Sequence, residues 1–162
     1  MANPKIRFDI DGYGVIEAEL YPEIAPTTVK NFVSLIENDF FNGLIFHRII
    51  SGFMIQGGGY DADMNHHDAP SIKGEFLANG FPQNTLKHTR GVLSMARTMI
   101  PDSASSQFFI MHEDAPHLDG QYAAFGCVTS GIEVVDKIAN VRTDFRDCPL
   151  APVVIKSVTL IG

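Results

Sequence analysis

The residues most able to do chemistry are scattered polar side chains in apolar surroundings. His112 and His117 lie near Glu113, Asp114 and Asp119, a composition that suits either a metal site or acid/base work, although loops at strand ends are commonly this polar. Asp61, Asp63 and Asn65 imitate the start of a calcium loop. His66 stands where such a loop needs glycine, and Ile72 where it needs a bidentate glutamate. His66 and His67 are adjacent, so in an extended chain their rings point apart and a solvated loop is the better reading. The chain has no GxSxG elbow, no GxxxxGK[ST] loop and no HExxH, so common hydrolase, nucleotide and zinc-protease chemistries have no local support.

Two segments do not read as ordinary core: FHRIISGFMIQGGG (46 to 59) and GVLSMARTMIPDSASSQFFIM (91 to 111). Arg48 interrupts the run Leu44, Ile45, Phe46, Ile49 and Ile50, and arginine is rarely buried without a partner. Taken alone, it faces solvent from a sheet wall. Strand alternation sets Gln107 and Phe109 on one face, an amide beside a large apolar surface. LDGQYAAFG (118 to 126) then carries Leu118 and Tyr122 around a turn, preceded by His117.

The elements that hold these residues follow from periodicity. Ile6, Phe8 and Ile10 alternate with polar residues, Asp11-Gly12-Tyr13-Gly14 supplies a turn, and Ile16, Ala18 and Leu20 alternate again, which predicts an opening hairpin. Val29, Phe32, Val33 and Ile36 share one helical face with Pro26 in the first turn, and Asn42-Gly43 is expected to end that helix. Short apolar runs at 44–50, 53–56, 91–96, 107–112, 123–128 and 152–160 predict strands, and 132–140 predicts a second helix after Gly131. Eight short strands hide their edges most easily by closing on themselves. The expectation is therefore an all-β fold: a closed eight-stranded antiparallel barrel capped by two α-helices, as one domain over 1–162.

Composition narrows the partners. The 162 residues are 45% hydrophobic with a formal net charge of -7, which argues against nucleic acid or an anionic membrane as partner. MANPKIRFDI lacks a signal core, and no apolar run reaches the length of a membrane span. A cytoplasmic location is expected, with Cys127 and Cys148 as free thiols. Nothing in the sequence demands more than a monomer.

The ordered match through the first hairpin, FHRIISGFMIQGGG, MARTMIPDSASSQFFI, LDG and FG resembles the cyclophilin family, and its wording is closer to bacterial members. The resemblance implies peptidyl-prolyl cis-trans isomerase activity without cofactor or metal, acting on proline-containing peptides and on unfolded or folding proteins. By motif, Arg48 matches the family's catalytic arginine and Gln56 its supporting glutamine. Phe53, Met54, Phe109 and Leu118 match the proline pocket, and Ala96 and Gln107 the substrate groove. Arg97 stands where many members have asparagine, His117 where tryptophan is common and Tyr122 where histidine is common. A proline-segment binding module or chaperone with little catalysis is the alternative, which the intact Arg48, Gln56 and Phe109 set disfavours.

The family's tryptophan position is associated with cyclosporin, so His117 implies weak binding of that drug. A titration of cyclosporin against isomerase activity is expected to show weak inhibition; potent, low-nanomolar inhibition would contradict it.

Overall fold

Ile6, Phe8 and Ile10 point inward from β1 (Lys5–Ile10), which pairs antiparallel with β2 (Gly14–Leu20) in a register that sets Phe8 opposite Ile16. The computed structural model describes residues 3–161. Helix α1 (Pro26–Glu37) buries Val29, Phe32 and Ile36. It stops well before Asn42-Gly43, because Asp39 takes a left-handed φ of 56° and the last carbonyls are closed off by Asn38 N–H to Ser34 O and Asp39 N–H to Ile36 O, each at 3.1 Å. The next strands are β3 (Arg48–Ile50), β4 (Met54–Gly57), β5 (Val92–Met95), β6 (Phe108–Met111) and β7 (Ala124–Ser130). Helix α2 (Ile132–Ala139) and strand β8 (Ile155–Leu160) follow. Short 3-10 turns at Leu77–Asn79 and Pro116–Leu118 have no counterpart in the periodicity, since three residues show no period.

Among the described residues the eight strands form one antiparallel sheet in the order β3-β4-β6-β5-β7-β2-β1-β8. The all-β class and strand number match expectation, but the closed barrel does not. Among the described residues strands β3 and β8 are the two edges, and the seam is spanned outside the named strand pairs, by the isolated bridge Ile45–Val154 and the bonds Gly43 N–H to Ile155 O at 2.8 Å, Ile155 N–H to Leu44 O at 2.7 Å and Phe46 N–H to Val153 O at 3.0 Å. Pro149 and Pro152 on the approach to β8 have no N–H to give a ladder. Ile49 N–H turns instead to Asp147 O at 2.7 Å. The sheet is thus curled and open at that seam, and the expected strand 44–50 shortens to Arg48–Ile50.

Two apolar clusters lie on opposite faces of this sheet. Inside, Phe108 meets the rings of Phe8, Phe32, Phe41 and Phe46 at 5.3 to 6.0 Å, within the range of favourable aromatic pairing. Outside, Phe109, Met111 and Met54 pack with Val92, Leu118 and Ala124. Strand β6 is consequently buried on both faces, which is why QFFIM reads as a continuous apolar run rather than an alternation.

Helix α1 is capped from far away in sequence. Its N-cap residue Ala25 offers no side-chain bond. The buried Glu75 carboxylate accepts Thr28 N–H and Thr28 Oγ at 2.7 Å each, and Thr27 N–H at 3.2 Å. An acidic group at a helix N-terminus also meets the positive end of the macrodipole. Replacing Glu75 by alanine strands these buried donors and is expected to cost about 3 kcal/mol, lowering the melting temperature by roughly 6 to 12 °C. An unchanged melting temperature would show that the cap contributes nothing.

Candidate active site

One rung of the sheet places most of the chemistry. Arg48 lies opposite Gln56, Gln56 opposite Phe109, and Phe109 opposite Ser94. All four therefore share the outer face across β3, β4, β6 and β5. Arg48 Nη1 donates to Gln56 Oε1 at 3.4 Å, and Gln56 Nε2 donates to Gln107 Oε1 at 3.1 Å. Gln107 needs room for this: a Cβ on Gly59 would lie 2.5 Å from Gln107 Cγ, so a larger residue there would push the Gln107 side chain aside. Among the described residues no carboxylate comes within ion-pair distance of the exposed Arg48.

Beside this guanidinium is a recess of about 380 Å³. Met54, Phe109 and Leu118 are buried in it, and Phe53 and Tyr122 are half-buried around it. The Phe53 and His117 rings lie 5.8 Å apart, and Tyr122 meets Phe109 edge-on at 5.8 Å. Ala96 and Arg97 complete the lining. The Arg97 guanidinium sits 4.7 Å from the centres of both the Phe76 and Tyr122 rings, and donates to Gln121 O at 2.6 and 3.2 Å. Its side chain, not only its main chain, shapes the wall.

Every residue matched to the catalytic pair, the proline pocket or the groove lines this recess except Gln107. Gln107 lies in an adjoining polar cavity of about 290 Å³ that shares Gln56, Ala96 and Arg97 and adds His66 and Asp68. His66 is exposed, as expected of a solvated loop residue, and lies at the edge of this cavity. Asp61 serves a turn, accepting the N–H groups of Asp63 and Asn65 and pairing with His67 Nε2 at 2.8 Å. His112 and His117 diverge: His117 faces Phe53, while His112 Nε2 reaches Asp136 Oδ1 at 3.2 Å. Among the described residues no three His, Cys, Asp or Glu side chains converge as a metal ligand set. Cys127 and Cys148 are both free.

Sequence reasoning missed the layer beneath the recess. Ser94 Oγ and His88 Nε2 lie 2.8 Å apart, and His88 Nδ1 lies 3.1 Å from Asp119 Oδ1. The His88 ring stacks under Phe109 at 6.1 Å. Burial pushes the His88 imidazole below its ordinary range, against the opposing pull of Asp119. The one local signal is Ser94, a polar residue inside the apolar strand GVLSMA, because a buried hydroxyl needs a partner.

Eight antiparallel strands and two helices thus carry an apolar recess beside a guanidinium that has no carboxylate partner among the described residues. A cyclophilin type peptidyl-prolyl cis-trans isomerase from Cryptosporidium parvum superposes with a TM-score of 0.83 at 29% identity, covering 99% of this chain and 98% of that one. The chain belongs to the family described as Cyclophilin type peptidyl-prolyl cis-trans isomerase/CLD, which matches residues 5–160. It is 48% identical over 157 residues to a peptidyl-prolyl cis-trans isomerase of Acinetobacter baylyi, covering 91% of this chain and 80% of that one. To peptidyl-prolyl cis-trans isomerase B of Escherichia coli it is 42% identical, covering 91% and 94%. The chain is accordingly an isomerase of peptidyl-prolyl bonds.

The neighbour of Arg48 is electrostatically constrained. Burial first, then Arg48 and His66, push the His47 imidazole down to about 4, and among the described residues its buried Nδ1 has no hydrogen-bond partner. A folded-state value below the unfolded one means that the unfolded chain binds the extra proton. Stability from His47 is therefore full above about pH 6.5 and is lost as the pH falls toward 4. His88 acts in the same direction. Thermal melts are expected to show falling stability from pH 7 to 4, with a shallower fall in His47→Gln. An identical slope in that variant would contradict the assignment.

Proposed function

We propose that Arg48 drives the rotation while the recess formed by Phe53, Met54, Phe109 and Leu118 holds the proline ring. Turning an X-Pro bond breaks amide resonance across a barrier of about 18 to 20 kcal/mol and transfers no proton or group. In the twisted state the proline nitrogen becomes pyramidal and regains its lone pair. A cationic donor aimed there stabilises that state more than either planar isomer. Arginine suits the task because it stays charged and presents several donors in a fixed fork, so it can also hold the substrate carbonyl. Gln56 keeps the fork in place, with Gln107 behind it.

The supporting observation is the cross-strand placement of Arg48 and Gln56 at the lip of the apolar recess. The apolar walls exclude water, which favours the more polar planar amide, and hold the ring by dispersion. Ala96, Arg97, Gln107, His117 and Tyr122 flank the bound chain. The Cryptosporidium parvum protein has also been solved in the presence of the dipeptide Ala-Pro, at a TM-score of 0.82 to this chain, which supports a proline-containing peptide as occupant. Residues 1–162 act as one domain on exposed proline segments of peptides and folding proteins.

Uncatalysed isomerisation takes roughly 10 to 100 s, so a turnover of about 10³ per second needs the barrier lowered by about 5.5 to 7 kcal/mol. A charge-assisted donor at a dry site supplies about 3 to 4 kcal/mol, with the rest from desolvation and from holding one productive rotamer. Arg48→Ala is expected to lower isomerase turnover of a proline peptide by about 10² to 10³-fold while the fold is retained. Near-normal turnover by the folded variant would remove the mechanism.

A further inference from the structure

The turn between β3 and β4 carries Phe53 into the recess, and it is tied to an imidazole outside the recess. Gly52 has a left-handed φ of 80°, and its N–H points to His112 Nδ1 at 2.8 Å. An amide N–H can only donate, so Nδ1 must keep its lone pair and the neutral ring carries its hydrogen on Nε2. Nε2 meets Asp136 Oδ1 on α2 at 3.2 Å. Asp136 is gripped by both Nη atoms of Arg90 at 2.7 Å, which holds its carboxyl below the usual range. Arg90 Nη1 also donates to the His112 carbonyl at 3.0 Å.

We propose that His112 is a positioning residue for the isomerase reaction: its Nε2–H tautomer, set by Asp136, accepts the Gly52 amide and fixes the turn that presents Phe53 to the proline ring. The backbone continues the same tie. Phe53 N–H donates to Ile50 O at 3.0 Å, and Phe53 O accepts His112 N–H at 2.9 Å and Glu113 N–H at 3.4 Å. Ser51 Oγ adds a weaker contact to Asn140 Oδ1 at 3.5 Å. The main chain is thus held on both sides of Phe53, whose ring lies against His117 at 5.8 Å. The groups facing the imidazole are Asp136 from α2, Arg90 from the segment before β5 and the Gly52 amide from the turn; Glu113 lies 3.8 Å from Arg90. The inference rests on Phe53 holding the proline ring as proposed above.

Freeing the turn weakens ground-state and transition-state binding alike, so the effect falls on KM rather than kcat. Losing the single acceptor is expected to raise KM about three- to tenfold in His112→Leu, with kcat within about twofold. In His112→Asn, Oδ1 takes the place of Nδ1 as acceptor, and KM is expected to return to within about twofold of wild type. The nitrogen-15 spectrum of the wild-type imidazole should show a protonated Nε2 and a bare Nδ1. An unchanged KM in folded His112→Leu, an equal rise in His112→Asn, or a proton on Nδ1 would overturn the inference. Should His112→Leu not fold, the tautomer and His112→Asn still decide it. Phe53→Ala is the control: if it leaves KM unchanged, the reading of the recess fails, whereas a raised KM there with an unchanged KM in His112→Leu sinks only the role of His112.

Discussion

The register of β3 on β4 and of β4 on β6 is the constraint from which the site follows. It sets Arg48, Gln56 and Phe109 side by side on one face of the sheet. A slip of one residue would send Arg48 into the aromatic interior and bring Ile49 out. The register is held by the inner face, where Ile49, Ile55 and Phe108 are almost wholly buried. Packing the inside therefore aims the guanidinium outside, and the stability of the core and the geometry of the site are one requirement.

The outer face needs a second layer of support, because a recess open to solvent cannot rely on the main core. Phe109 rests on His88, which bridges Ser94 and Asp119, and Asp119 follows the recess residue Leu118. Arg97 clamps the rim by lying over Tyr122 and Phe76, an arrangement of a kind worth about 0.5 to 2 kcal/mol. The edge strand β3, paired on one side only along its length, is steadied by the loop after α2 through Ile49 and Asp147. The polar contacts around the recess thus hold orientation, while apolar burial supplies most of the driving force for folding.

Much of this was legible in the amino-acid order, for identifiable reasons. Alternation located the first hairpin, and the buried runs GVLSMA and QFFIMH located β5 and β6 because both faces of those strands are covered. The recess residues were legible through a long ordered resemblance; no single side chain among them would have carried the assignment. The open seam was harder to see, since it depends on prolines before β8 acting on a strand about a hundred residues earlier. The links from His88 to Asp119, from Gly52 to His112 and from Glu75 to α1 join residues far apart in the chain. Local pattern contains no information about such pairings.

In the proposed mechanism a proline ring sits in the recess while the Arg48 guanidinium reaches the bond being turned. A crystal structure with an X-Pro peptide tests it most directly. The ring is expected among Phe53, Met54 and Phe109, with a guanidinium nitrogen of Arg48 in hydrogen-bond reach of the carbonyl preceding proline. A peptide whose proline lies instead in the polar cavity by Gln107, with Arg48 directed away from it, would contradict the account.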